Sequence, residues 1–253
     1  MPDILEQVWA TPGLFWLIFA ISMAGIVRGF AGFGTALIFV PVAGIFLAPQ
    51  TVIGVITMTG IASTAALLPR AWKQAHRREV GLLALAAVFT VPVGLWLLGL
   101  MDRETIRWII AAVAAITLGA LLAGWRFSGN VRLLGLLAIG GVAGVIGGLT
   151  GLTGPVVILF YLAGQSTAQY VRANTILFLA ALDVVVVSNL VSRQSMGWDV
   201  VALALTLAVP YFITSLIGQA LFDPRHERLY RAVAYAVIAL ALVSGLPIWN
   251  MGG

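Results

Sequence analysis

With the N-terminus and the polar loops set aside, Arg103 and Arg107 being counted with the loop charges Asp102 and Glu104, three ionisable side chains remain: Arg28, Arg172 and Asp183. A charge at membrane depth is costly and marks a functional position by default. Arg28 lies in VRGFAGFGTALIFVP, residues 27–41, directly ahead of Gly29, Gly32 and Gly34. A guanidinium there suits a small anion, which it can grip with a fork of N–H donors. The competing role is an ion pair with Asp183 that fixes helix packing. Arg172, in QYVRANT, either faces the same ligand or snorkels to the membrane interface. Asp183, within FLAALDVVVVSN, either carries a coupling proton or neutralises an arginine. Asn174 and Thr175 add polar surface to the same stretch.

The elements that position these residues follow from composition. Of 253 residues, 61% are hydrophobic and 9% charged, whereas a soluble domain carries about 25% charged residues. Apolar segments fall at about 13–27, 35–48, 51–69, 80–101, 106–125, 133–149, 154–164, 173–192, 198–221 and 229–249. Several approach the ~20 residues of a spanning helix, and none shows the alternation of a membrane barrel. The expected fold is an all-α polytopic membrane protein, one transmembrane domain over residues 1–253. Segments 35–48 and 154–164 are too short to span. The N-terminus, MPDILEQVWATPG, lacks the basic region of a cleaved signal peptide.

The chain repeats itself. Laid over AGVIGGLTGLTGPVVILF (143–160), AGIVRGFAGFGTALIFVP (24–41) matches Ala24, Gly25, Gly29 and Gly32 to Ala143, Gly144, Gly148 and Gly151 at an offset of 119. Gln50 matches Gln169 at that offset, and Pro92 and Pro210 are 118 apart. Repeat one covers about 13–125 and repeat two about 131–249, each a glycine-broken helical hairpin followed by about three transmembrane helices. Loops 70–79, 125–132 and 222–231 carry the basic excess and belong in the cytoplasm. Each half then crosses an odd number of times. The second half enters inverted, both termini lie outside, and the architecture is that of inverted-repeat transporters.

Irregular backbone at membrane depth occurs only where protein or a water-filled cavity surrounds it. Two matched breaks therefore imply two half-helices starting near mid-membrane. A helix start offers unpaired N–H groups and a partial positive charge, a site for anions. Gly29, Gly32, Gly34, Gly151 and Gly154 would let backbone touch the ligand, and Thr35, Thr150 and Thr153 would add hydroxyl donors. The alternative for Gly25, Gly29, Gly144 and Gly148 is small-xxx-small helix packing.

These segments, Gly25, Gly29, Gly32 and Gly34 followed by Pro41, and Gly144, Gly148, Gly151 and Gly154 followed by Pro155, resemble the TauE/SafE sulfite exporter family of membrane permeases. The resemblance covers nearly the whole chain. The family's denser GxGGG run is thinned here to GFGTA and GLTGP. The resemblance implies transport across the bacterial or archaeal inner membrane of sulfite or organosulfonates such as sulfoacetate, usually outward. From the residues alone comes a narrower reading: a site for a small anion, with protons as a second partner if Asp183 titrates.

Other classes fit less well. No GxxxxGK[ST] loop is present, so the chain cannot hydrolyse ATP by itself. It has no cysteine and two histidines, His76 and His226, both in basic loops. No catalytic set, metal site or cofactor is expected, and the net charge of +5 belongs to cytoplasmic loops rather than to nucleic-acid binding. A channel would use similar glycines but would not show counterflow. The oligomeric state is left open.

Overall fold

The computed structural model describes residues 6, 8–31, 33–65, 68–124, 132–163, 168–192, 197–221 and 227–250. Among these the chain is helical, with no strand. The helices are α1 (Leu14–Ala31), α2 (Thr35–Phe46), α3 (Pro49–Ala65), α4 (Leu68–Gln74), α5 (Arg77–Leu100) and α6 (Arg103–Leu122) in the first half. The second half holds α7 (Leu133–Thr150), α8 (Pro155–Ala163), α9 (Ala168–Ser192), α10 (Trp198–Leu221) and α11 (Glu227–Gly245), before a 3-10 turn at Pro247–Asn250. Among the described residues, five helices are long and apolar enough to cross a membrane: α5, α6, α7, the Ala173–Ser192 part of α9, and α10. Phe15, Phe89, Ile116, Leu134, Leu205 and Leu240 stay exposed on the outside. That surface suits lipid rather than water.

The break after α1 and the break after α7 end in short helices. At a rise of about 1.5 Å per residue, the 12 residues of α2 and the 9 of α8 reach at most about 18 Å. The hydrocarbon core is about 30 Å thick, so neither arm can span it. Local chemistry sets both starts. Gly34 adopts φ 101° ahead of α2, a left-handed conformation that glycine takes without a Cβ clash. Gly151 (φ 75°) closes α7 in the same region. Pro155 then opens α8 at the first helical position, where its missing N–H costs nothing.

The long arm of each hairpin packs against a helix of the other half. α7 lies along α5, and α1 lies along α10; these are the two most extensive helix contacts. Glycine makes both seams possible, and they match residue for residue. A Cβ on Gly29 would fall 2.7 Å from Gly218 Cα and from Gln219 N, with the Ser215 carbonyl oxygen nearer still. A Cβ on Gly148 would fall 3.2 Å from Gly94 Cα, 3.1 Å from Leu95 N and 2.5 Å from Val91 O. One turn earlier, Gly25 meets Thr214 and Gly144 meets Thr90.

Two arginines assigned by sequence to a loop prove to be structural. Residues 103–107 open α6, whose N-cap Asp102 accepts hydrogen bonds from the Thr105 N–H (2.9 Å) and hydroxyl (2.6 Å). Arg103 donates to Gly44 O (3.0 Å) and Ile45 O (2.8 Å), the loose carbonyls at the end of α2. Arg107 is buried and donates to Gly245 O (3.0 Å) and Leu246 O (3.3 Å), doing the same for α11. The ends of α2 and α11 and the start of α6 thus lie together. At another locus the His76 N–H, at the start of α5, donates to Asn174 Oδ1 of α9 at 2.8 Å.

Candidate functional site

A cavity of about 50 Å³ lies where the two breaks meet. A single water needs about 10–15 Å³ by this measure, whereas drug-sized pockets start near 300 Å³. The space suits a ligand of a few heavy atoms. Its wall includes the start of α2 (Gly34, Thr35, Ala36, Leu37) and the start of α8 (Thr153, Gly154, Pro155). In α2 the first intrahelical bond of this turn runs from Ile38 N to Gly34 O at 3.1 Å; in α8 Ile158 N reaches Gly154 O at 2.9 Å. The N–H groups ahead of Ile38 and Ile158 have no carbonyl one turn back within their own helix. Both helix starts therefore turn their positive ends toward one small volume.

Arg28 and Asp183 line the same volume. Both are buried. The ion pair that competes with a ligand role for Arg28 is not formed among the described residues. Instead the Arg28 Nη2 reaches Thr64 Oγ1 in a long 3.5 Å contact. Since Thr64 accepts there, its own hydroxyl hydrogen is left to donate elsewhere. Thr35 Oγ1 and Tyr211 Oη lie 3.0 Å apart; one donates to the other, and the second hydrogen of the pair is likewise available to a ligand. Thr57 differs, because its hydroxyl hydrogen is committed to Ile53 O at 2.6 Å.

Of the residues singled out by sequence, the cavity collects Arg28, Gly34, Thr35, Thr153, Gly154 and Asp183. It does not collect the others that are described. Gly29 faces the α10 seam. Thr150 bonds Ile146 O (2.7 Å) and receives Leu152 N (3.1 Å), closing the end of α7, and Gly151 packs against Ile53. Asn174 and Thr175 are buried in α9 and neither lines the cavity; Asn174 lies by His76. Gly32 and the Arg172 side chain lie outside the described residues, as do residues 125–131 and 222–226, including His226. Sequence reading missed Thr57, Gly60, Thr64 and Tyr211, all on the cavity wall. The first three were detectable: spacings of three and four put them on one face of α3.

An all-helical chain with membrane-length apolar helices, two short arms that stop inside it and a charged internal cavity defines a polytopic membrane protein. The sequence model of the family "Sulfite exporter TauE/SafE" matches residues 17–244. The chain belongs to that family, whose members are membrane transporters rather than enzymes. No curated protein and no solved structure gives a match.

Proposed function

We propose that this protein is a secondary transporter that moves a small anion of the sulfite or organosulfonate class across the bacterial inner membrane. The proposed direction is outward, by alternating access between two inverted halves, with both termini outside. One observation carries the reading: two helix starts and the Arg28 guanidinium converge on a cavity sized for a few heavy atoms. The anion would accept from free N–H groups of α2 and α8, from Arg28, and from the spare hydroxyl hydrogens of Thr35 or Tyr211 and of Thr64. Asp183 gives the cavity a carboxylate as well. With Arg28 and Asp183 both ionised their charges cancel, so a bound anion leaves a net negative site unless a proton accompanies it. This supports Asp183 as the group that takes that proton.

The test is a melting-temperature panel on purified protein with sulfite, sulfoacetate, taurine, acetate and sulfate, for wild type, Arg28→Ala and Arg28→Lys. A ligand specific to the folded state raises stability with concentration, while sulfate reports general salting. Stabilisation of the wild type by sulfite or a sulfonate at low millimolar levels, lost in Arg28→Ala, is the expected result. Equal response to every anion, or a normal response from Arg28→Ala, refutes the site. In proteoliposomes, stimulation of efflux by substrate on the opposite face separates a transporter from a channel.

A further inference from the structure

Away from the cavity, four buried polar atoms lack a partner of hydrogen-bond geometry among the described residues: Arg107 Nε, on the guanidinium that caps the end of α11, and Tyr161 Oη, Asn174 Nδ2 and Thr175 Oγ1. The last three lie on α8 and α9: Tyr161 and Asn174 stand by the start of α5, and Thr175 follows Asn174 in sequence. Asn174 spends its carbonyl oxygen on the His76 N–H at 2.8 Å, so the orientation of its amide is fixed and Nδ2 is an obligate donor. The rings of Tyr161 and His76 each lie 6.4 Å from that of Tyr170, whose hydroxyl donates to Glu79 Oε2 at 3.3 Å. Buried donors without partners are rare in folded chains and call for water or a ligand.

Their register ties them to the cavity. Tyr161 is three residues beyond Ile158 on α8, and Thr175 is four residues before Leu179 on α9. Residues three or four apart share a helix face, and Ile158 and Leu179 both line the cavity. One turn past an apolar pair, on both helices, the polar atoms resume. Beyond them lie His76, exposed, and the cations Lys73, Arg77 and Arg78, also exposed, against the single carboxylate of Glu79. A positively biased mouth of this kind draws anions.

We infer that Tyr161, Asn174 and Thr175 form a second polar station for the anion, through which it passes between the cavity and the face bearing residues 70–79. Ile158 and Leu179 are the apolar barrier between the two. This inference rests on the anion-transport reading above. Three donors at the station, two hydroxyls and one amide, can replace part of an anion's hydration shell without the charge that would trap it.

The chain has no cysteine, so single-cysteine variants report without background. Thr175→Cys, and Val186→Cys as a fully buried control on the same helix, are treated with a small charged methanethiosulfonate. Sulfoacetate serves as the anion, because sulfite attacks such reagents. Thr175→Cys should react at least tenfold faster than Val186→Cys. Tyr161→Phe, which keeps the ring, should slow sulfoacetate transport at least fivefold while sulfoacetate still raises its melting temperature as in wild type. Equal labelling of the two cysteines overturns the inference. So does a Tyr161→Phe variant that transports normally, or one that loses stabilisation along with transport. Thr64→Cys at the first cavity keeps the two readings apart: if sulfoacetate fails to protect it from the reagent, the anion cavity itself is refuted, whatever Thr175 shows.

Discussion

Replacing Gly29 by alanine tests whether that glycine serves the ligand or the fold. In the structure a methyl group there would sit 2.7 Å from Gly218 Cα and from Gln219 N, against an ordinary contact of 3.4–4 Å. The neighbouring atoms are helical backbone and cannot rotate away. α1 must therefore back off from α10 by about 0.7 Å or more, and a gap of about 0.5–1 Å forfeits a quarter to a half of each dispersion contact along the seam. Overpacking of this kind costs about 1–3 kcal/mol. At about 2–4 °C per kcal/mol for a chain of this size, Gly29→Ala should melt about 2–12 °C below wild type in detergent. Gly148→Ala should show a loss of the same order, since its Cβ would meet the Val91 carbonyl at 2.5 Å. The Gly29→Ala protein that remains folded should still be stabilised by the anion that stabilises wild type. An unchanged melting temperature would refute the seam as the reason for glycine. Loss of anion stabilisation at an unchanged melting temperature would return Gly29 to the ligand.

Arg107→Ala removes donors from the carbonyls of Gly245 and Leu246; hydrogen bonds from a charged group contribute about 1.5–3 kcal/mol each, so thermal melting should fall by several degrees with anion stabilisation retained. Tyr211→Phe breaks the 3.0 Å link to Thr35 and should cost about 1 kcal/mol and weaken anion binding, read as a smaller melting shift at fixed anion concentration. Gly34→Ala forces a side chain into φ 101°, a strain of about 1–3 kcal/mol, and should lower both melting temperature and anion response. The Asp102 carboxyl is held below the usual carboxylate range by the Thr105 hydroxyl and N–H. Its stabilisation is thus complete above about pH 4 and fades as pH falls through the lowered value, so the melting gap between wild type and Asp102→Asn should shrink on acidification.

The helical membrane class was legible because it rests on composition and on the length of apolar runs, which tertiary context does not alter. The two breaks were legible as well, since glycine runs and Pro155 weaken a helix wherever they stand. What each glycine does was not. Gly25, Gly29, Gly144 and Gly148 lie on faces turned toward α10 and α5, and Gly34 and Gly154 face the cavity. Sequence spacing fixes the face of a helix but not its neighbour. Tyr211 had no local signal, because its partner Thr35 is 176 positions away. Arg107 looked like loop charge because MDRET interrupts two apolar runs. In the fold it sits one turn inside α6 and reaches a carbonyl 138 positions on. Thr57, Gly60 and Thr64 were readable by spacing, yet disappear among isoleucine, valine and methionine when a segment is judged by its mean hydropathy.

The paired glycine seams bear on how such a chain could arise. α1 packs along the glycine-lined face of α10 and α7 along that of α5, so each half supplies an arm to the other and a seat for the other's arm. A polypeptide of one half's length would carry an arm with nothing to lie against and a seat with nothing on it. Both needs are met at once by a second copy, each lending its arm to its partner. If the repeat expected from the sequence reflects a duplication, an ancestor of half this length would have paired as a dimer, and joining two copies end to end would have let Arg28 and Asp183 appear once instead of twice, giving the cavity two unlike walls.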